Sequence, residues 1–330
     1  MATLRPQDWV RIAEDEQLPF VAAGGALVRF IVGDSEGEID PARRWIREMA
    51  GEQGFLYAEV DGSQYRLHLP NEILQAITTQ LDLRALITNF VLQTVIREGY
   101  EVPSGAEKFV LSDVARLNDI LEIGVLQLVK RRVRKDILSD SRLMRDFKYS
   151  ILAMVDDVVE GSDLAPSIDL TKRWLAGDVP RIRELRNAGI VQKVNRYNAR
   201  GLLRSLLSWV PSTGYRGSIV VIDATALKDA THHYGYRARF AYTRRALTDA
   251  YEVMREFIDE TDEMHHAVIV FGMPVEFLSI DPSGRGMGAY QALEFRVSGF
   301  EEARLPNPLA NLVQLSIFAP TQGLYRDRRR

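Results

Sequence analysis

The sequence predicts a doubly wound α/β fold, a five-stranded parallel sheet with a helical insertion between its second and third strands. Two observations predict it. Five short β-rich runs recur along the chain: ALVRFIV (26–32), FLYAEVD (55–61), GSIVVID (217–223), HAVIVFG (266–272) and LVQLSIF (312–318). The last three are nearly continuous apolar runs, the pattern of parallel strands covered on both faces. Helical patterns fill the intervals, and strands alternating with helices imply a parallel sheet.

In chain order, the first strand leads through an acidic turn into DPARRWIREMAGEQG. Asp40 reads as its N-cap and Pro41 as its first helical residue. The long section at about 70–210 reads as amphipathic and apolar helices, broken at GSDLAPS (161–167). YTRRALTDAYEVMREFIDETDE places Ala246, Ala250, Met254 and Ile258 on one helical face. One domain spanning 1–330, with residues 70–210 inserted into it, is the expected organisation.

Composition narrows the function classes. With 46% hydrophobic and 26% charged residues, the 330-residue chain can bury one large core or two modest ones. No apolar run approaches the roughly 18 residues of a membrane span, and the N-terminus has no apolar secretory core. The absence of cysteine excludes disulfides, thiolate zinc sites and a cysteine nucleophile. A cytoplasmic protein with no membrane partner is expected. The net charge of -3 argues against wholesale coating of nucleic acid. A local basic patch is still offered by Lys130, Arg131, Arg132, Arg134 and Lys135, and the chain closes on the basic run RDRRR. A solvated helix face is the plainer reading of residues 130–135, and no aromatic stacking platform adjoins them.

The turn after the first strand, GDSEGEID (33–40), stands where glycine-rich phosphate-binding loops are found. A working P-loop needs glycines to wrap phosphate in backbone N–H groups, a lysine for the β/γ oxygens and a hydroxyl for magnesium. Aligned on G-x-x-x-x-G-K-[ST] from Gly33, the second glycine falls on Glu38, the lysine on Ile39 and the hydroxyl on Asp40. Asp34, Glu36, Glu38 and Asp40 place four carboxylates where a triphosphate would bring more negative charge. Such repulsion costs on the order of 1 kcal/mol per pair even in water. The candidate degenerate loop is therefore Gly33, Asp34, Gly37, Glu38, Ile39 and Asp40, with the protein's own acids filling the phosphate's place. A simple acidic surface turn and a cation site are the alternatives, although the spacing does not fit an EF-hand.

ATPases of this architecture end the third strand in Asp-Glu, the Asp orienting magnesium and the Glu activating water. Here Asp223 is followed by Ala224. The metal-side carboxylate is present and the water-activating one is missing.

Further segments carry a resemblance: VRFIVGD, GFLYAEVD followed by Arg66, Leu67 and His68, RWLAGD around Trp174, NARGLLRSLLSWV to GSIVVID, FGMPVEF (271–277) and RGMGAYQALEFRV (285–297). In their order and spacing, over roughly residues 20–325, they are similar to the P-loop proteins of the BREX phage-defence type, the BrxC/BrxD family related to AAA+ ATPases. The resemblance implies a P-loop NTPase-like sheet of the AAA+/ASCE kind and a role in an anti-phage or other DNA-related complex. It also implies an intact loop and Asp-Glu at the two positions where this chain departs. The helical lid and winged-helix region that such proteins carry are expected to be absent.

Arg285 stands where an arginine could reach a neighbouring subunit's nucleotide, and pairing with a local acid is the plainer role. Met273 cannot act as a polar sensor after the fourth strand and is expected to pack. His232–His233 and His265–His266 are adjacent pairs, which rarely chelate one metal alone. No serine sits in a nucleophile elbow. The expected function is a pseudo-ATPase with no cofactor, a regulatory or interaction subunit whose partner is an intact P-loop paralogue or a second copy. An ATP- and magnesium-binding enzyme with a rearranged site and a DNA-associated factor using residues 130–135 are the alternatives.

Overall fold

The apolar runs form the middle of one all-parallel sheet. The computed structural model of the chain describes residues 3–103, 109–161, 164–179, 181–229, 240–297 and 307–319. Its strands are β1 (Thr3–Leu4), β2 (Ala26–Val32), β3 (Leu56–Asp61), β4 (Ser218–Asp223), β5 (Ala267–Met273) and β6 (Leu312–Leu315). They lie in the order β1-β6-β2-β5-β4-β3. The sheet thus has six strands where five were expected. The extra one is a two-residue edge strand whose Thr3 and Leu4 pair with Gln314 and Leu315.

Helices α1 (Pro6–Ile12), α2 (Leu18–Ala22) and α3 (Asp40–Glu52) supply one face. Trp9, Val21, Ile46 and Ala50 pack there with Ile31, Ile219, Val221, Val270 and Val313 of the strands. Alternation sends Phe30 of β2 to the opposite face, where it stacks on Phe271 and Phe277 with centroids at 5.1 and 5.9 Å. Tyr251 and Phe257 of α12 (Arg244–Asp259) complete that aromatic cluster. Thr243 caps α12 by accepting the Ala246 N–H. Ala250 and Met254 are buried as the helical period requires, together with Leu247 and Tyr251, whereas Ala246 and Ile258 are half-buried.

Residues 1–69 and 217–330 form one compact unit, and residues 70–216, falling in sequence between β3 and β4, form another. The second unit holds α4 (Pro70–Thr78), α5 (Leu83–Arg97), α6 (Leu111–Leu117), α7 (Glu122–Ser139), α8 (Arg145–Val159), α9 (Pro166–Leu175), α10 (Ile182–Arg186) and α11 (Ala199–Trp209). Its centre is aromatic, with Trp209 edge-on to Phe90 and Phe147. Buried Asp157 of α8 accepts from the Ser167 and Ile168 N–H groups and so caps α9, whose Ala165 offers no side-chain acceptor. No described helix is long and apolar enough to cross a membrane.

The chain leaves β2 towards β3 on one side and returns from β5 to β6 across β2. Connections therefore diverge at β2 and β5, the kind of switch point where open α/β sheets form their ligand crevices. The register places Ile31 beside Gly272, and Asp61, Asp223 and Gly272 side by side. The turn after β2 and the end of β4 share this edge of the sheet.

Candidate functional site

The turn after β2 is closed by its own side chains. Residues Ser35–Ile39 form a single π-helical turn that runs directly into α3. The Glu38 and Ile39 N–H groups donate to the Asp34 carbonyl at 3.1 and 3.0 Å. Gly37 N–H donates to Asp34 Oδ2 at 3.2 Å, and Asp34 N–H donates to Glu38 Oε2 at 2.8 Å. Gly33 N–H is bound to the Met273 carbonyl. Four amides of the turn thus have acceptors within it, two of them carboxylates. The other Glu38 oxygen takes the Ile317 N–H at 3.4 Å, just beyond β6.

Gly33 is required by this closure. A Cβ there would lie 2.7 Å from the Glu38 Cβ, closer than unbonded carbons approach. Ile39 is fully buried and leans over Gly272, where a Cβ would meet Ile39 Cγ2 at 2.8 Å. An apolar side chain packed on the sheet thus fills the position aligned with the P-loop lysine.

Asp40 is the first residue of α3 and not its N-cap. That place belongs to Ile39, and no side chain caps the helix. The preceding π-turn already gives nearby amides their acceptors, so Asp40 turns forward to Arg43 at 2.7 Å. Arg43 in turn contacts Asp223 Oδ2 at 2.6 Å and Glu59 Oε1 at 3.1 Å. Arg47, one helical turn further on, also holds Glu59, and the Tyr57 hydroxyl donates to Glu59 at 3.0 Å.

The Asp223 carboxylate is occupied on both oxygens. Oδ1 accepts the Thr225 hydroxyl at 2.6 Å and the Thr225 N–H at 3.0 Å, while Oδ2 takes Arg43. Burial pushes its pKa above the usual aspartate value; Thr225 and Arg43 oppose the shift, and the charge of Asp61 adds to it. Ala224 is fully buried and its N–H is spent on the Gly272 carbonyl. At this edge of the sheet, then, two arginines meet Asp40, Glu59 and Asp223, with Asp61 nearby.

The loop residues expected from the sequence, Gly33, Asp34, Gly37, Glu38, Ile39 and Asp40, lie at the same sheet edge as Asp223, whereas Arg43, Glu59 and Thr225 are not among the residues expected there. Glu59 is one of two acids in β3, at i,i+2 spacing with Asp61. Arg43 follows Asp40 at helical i,i+3 spacing, but its partnership with Asp223 spans 180 residues and leaves no local trace.

The remaining candidates lie apart. The Arg285 guanidinium donates to the carbonyls of Leu227, Tyr242 and Asp229 at 2.6, 2.7 and 3.4 Å. The Tyr251 hydroxyl donates to the Arg285 carbonyl. Met273 is buried. Of the residue 130–135 cluster on α7, Lys130 pairs with Asp156 and Glu160, and Arg132 with Glu98 and Asp136. Arg131, Arg134 and Lys135 are exposed. His266 has a left-handed φ of 53° and joins the sheet through its backbone, its carbonyl accepting the Ser218 N–H. His232, His233 and the RDRRR tail lie outside the described residues. Among the described residues no group of three or more His, Asp or Glu is placed to hold a metal ion.

Comparison with the curated proteins and with the solved structures finds no match. Residues 11–325, nearly the whole chain, match the family described as BREX system ATP-binding protein BrxC/D. A parallel sheet with its first loop at a switch point agrees with that match, and the chain belongs to the BREX system ATP-binding protein BrxC/D family.

Proposed function

We propose that this chain is a non-catalytic, P-loop NTPase-like member of its family, acting as a regulatory or interaction subunit in phage defence. The observation that carries the reading is the double occupancy of the nucleotide edge. Carboxylates of Asp34 and Glu38 take amides that would face phosphate, and Arg43 takes the carboxylate of Asp223 that would face magnesium. Each arrangement would have to break before a magnesium–triphosphate complex could enter. The missing lysine and the Ala224 methyl offer nothing in return. The partner that suits such a subunit is an intact P-loop paralogue or a second copy of this chain.

Calorimetry with ATP and magnesium tests the reading. No heat of binding is expected up to millimolar nucleotide, and a low-micromolar dissociation constant would overturn it. The family's ATP-binding description favours a second reading, in which Arg43 swings from Asp223 onto phosphate and frees that carboxylate for the metal. In that case Arg43→Met and Asp223→Ala would each abolish a binding signal that the native chain displays.

A further inference from the structure

Residues 171–204 hold nine Lys and Arg against two Asp and Glu, an excess of seven positive charges in a chain whose net charge is -3. Seven of the nine are arginines, whose planar forks suit bidentate contact with phosphate. Arg173 spends part of its charge on Glu184 at 3.7 Å. Arg181, Arg183, Arg186 and Arg196 are exposed and form no ion pair among the described residues.

An aromatic tip stands in the same stretch. Tyr197 is 84% exposed, with the Arg196 guanidinium 5.3 Å from its ring centroid. A large aromatic side chain left this open contributes little to the fold. Its turn is nonetheless held firmly. Asn195 Oδ1 accepts the Tyr197 and Asn198 N–H groups, Asn198 Oδ1 accepts the Asn195 N–H, and Asn198 Nδ2 donates to the Lys193 carbonyl. The two asparagines thus lock the backbone and leave Arg196 and Tyr197 pointing outward.

The strand of loop leading to the turn is pinned as well. Asp146 Oδ2 accepts the Val191 and Gln192 N–H groups, and Trp174 Nε1 donates to the Gln192 carbonyl. At Gly189, with φ of 73°, the backbone lies so close to Tyr149 that a Cβ would sit 2.8 Å from its ring. An exposed aromatic ring on a hydrogen-bonded turn, with Arg196 against it and further exposed arginines at 181, 183 and 186 in the same stretch of chain, has the residue types that grip a phosphate backbone while offering a π-face to an unpaired base.

We propose that this surface binds single-stranded nucleic acid, with phosphates on Arg181, Arg183, Arg186 and Arg196 and one base stacked on Tyr197. An unpaired nucleotide uses both features at once, its phosphate on the cations and its base on the tyrosine ring. The surface uses none of the α7 cations, two of which, Lys130 and Arg132, are tied up in ion pairs. It does not depend on whether the turn after β2 binds nucleotide.

Fluorescence anisotropy of the full chain with a labelled oligonucleotide of about 20 nucleotides, and with its duplex, tests the proposal. Engagement of about four phosphates predicts roughly fifty-fold weaker single-strand binding at 200 mM than at 50 mM salt. The triple variant R181E/R183E/R186E should weaken binding at least about tenfold. Tyr197→Ala should weaken single-strand binding about tenfold and barely change duplex binding, since only an unpaired base can stack. Three results overturn the proposal: no binding at low salt, equal loss on both substrates for Tyr197→Ala, or binding lost only in R131E/R134E/K135E. Binding to phosphatidylserine vesicles with none to the oligonucleotide overturns it too. All the substituted side chains are exposed, and matching circular dichroism spectra confirm that the variants compared are folded.

Discussion

The guanidinium of Arg43 and the carboxylate of Asp223 meet at 2.6 Å across 180 residues of chain, joining the helix after β2 to the end of β4. The arginine also serves Asp40 and Glu59, so one cation holds three acids together at the sheet edge. Removing it takes a cation from two carboxylates that are only 12% and 17% exposed at their side chains, leaving Asp223 with Thr225 and Glu59 with Arg47 and Tyr57. Arg43→Met is expected to cost about 2–3 kcal/mol by urea denaturation, and Asp223→Asn in the same chain should recover part of the loss. An unchanged midpoint would show that the cluster contributes nothing.

Stability should also carry the signature of Asp223 in its pH dependence. Its folded pKa is raised above 3.8 by burial, so the native state binds its proton more readily than the unfolded chain. The group therefore weakens the fold at neutral pH, and the penalty fades as pH falls through the folded pKa. Compared with the native chain, Asp223→Asn should gain most at neutral pH, and the gap should shrink as pH falls towards 3.8. Unfolding free energies of the two chains across that range check the sign. A gap that widens on acidification would mean that the pKa is depressed.

The packing of Ile39 over Gly272 predicts a coupled pair. Gly272→Ala places a methyl 2.8 Å from Ile39 Cγ2 and should cost about 1–3 kcal/mol. Ile39→Ala opens a cavity and should cost about 2–4 kcal/mol. The double variant should lose clearly less than the two costs combined, because the new methyl enters the space that the isoleucine vacates. Simple additivity in thermal unfolding would show that the two residues do not touch.

Arg285 binds three backbone carbonyls on either side of residues 230–239, and a lysine cannot reproduce that fork. Arg285→Lys is expected to destabilise the chain by about 1–2 kcal/mol at concentrations low enough to exclude self-association. An inter-subunit role alone would leave the dilute chain's stability unchanged, so the same measurement separates the two roles.

The sequence made the central strands plain because a strand buried on both faces must be apolar throughout, as in SIVVID and AVIVFGM. The edge strand escaped notice because two residues carry no periodicity. Asp-Pro does begin a helix, but Asp40 is its first residue and Ile39 its cap position. A π-turn upstream had already satisfied neighbouring amides, and nothing in the residue types signals such a turn. The acids of GDSEGEID were expected to fill a phosphate's place. The carboxylates that take the turn's amides are those of Asp34 and Glu38, while Asp40 went to Arg43. Arg43, Thr225 and the Arg285 carbonyl contacts depend on topology, which brings distant segments together. The cations of 171–204 were legible as composition, but their value as a surface required knowing which were exposed and which paired.

Glu38 accepts one amide from its own turn and another from the chain beyond β6, above a glycine that can carry no side chain. A lone substitution towards the G-K-T pattern would disturb a contact at each position. Glycine at 38 would release two segments at once, lysine at 39 would be forced into the pocket over Gly272, and threonine at 40 would abandon Arg43. Each step towards a phosphate-binding sequence in this turn therefore gives up a contact that the turn now makes.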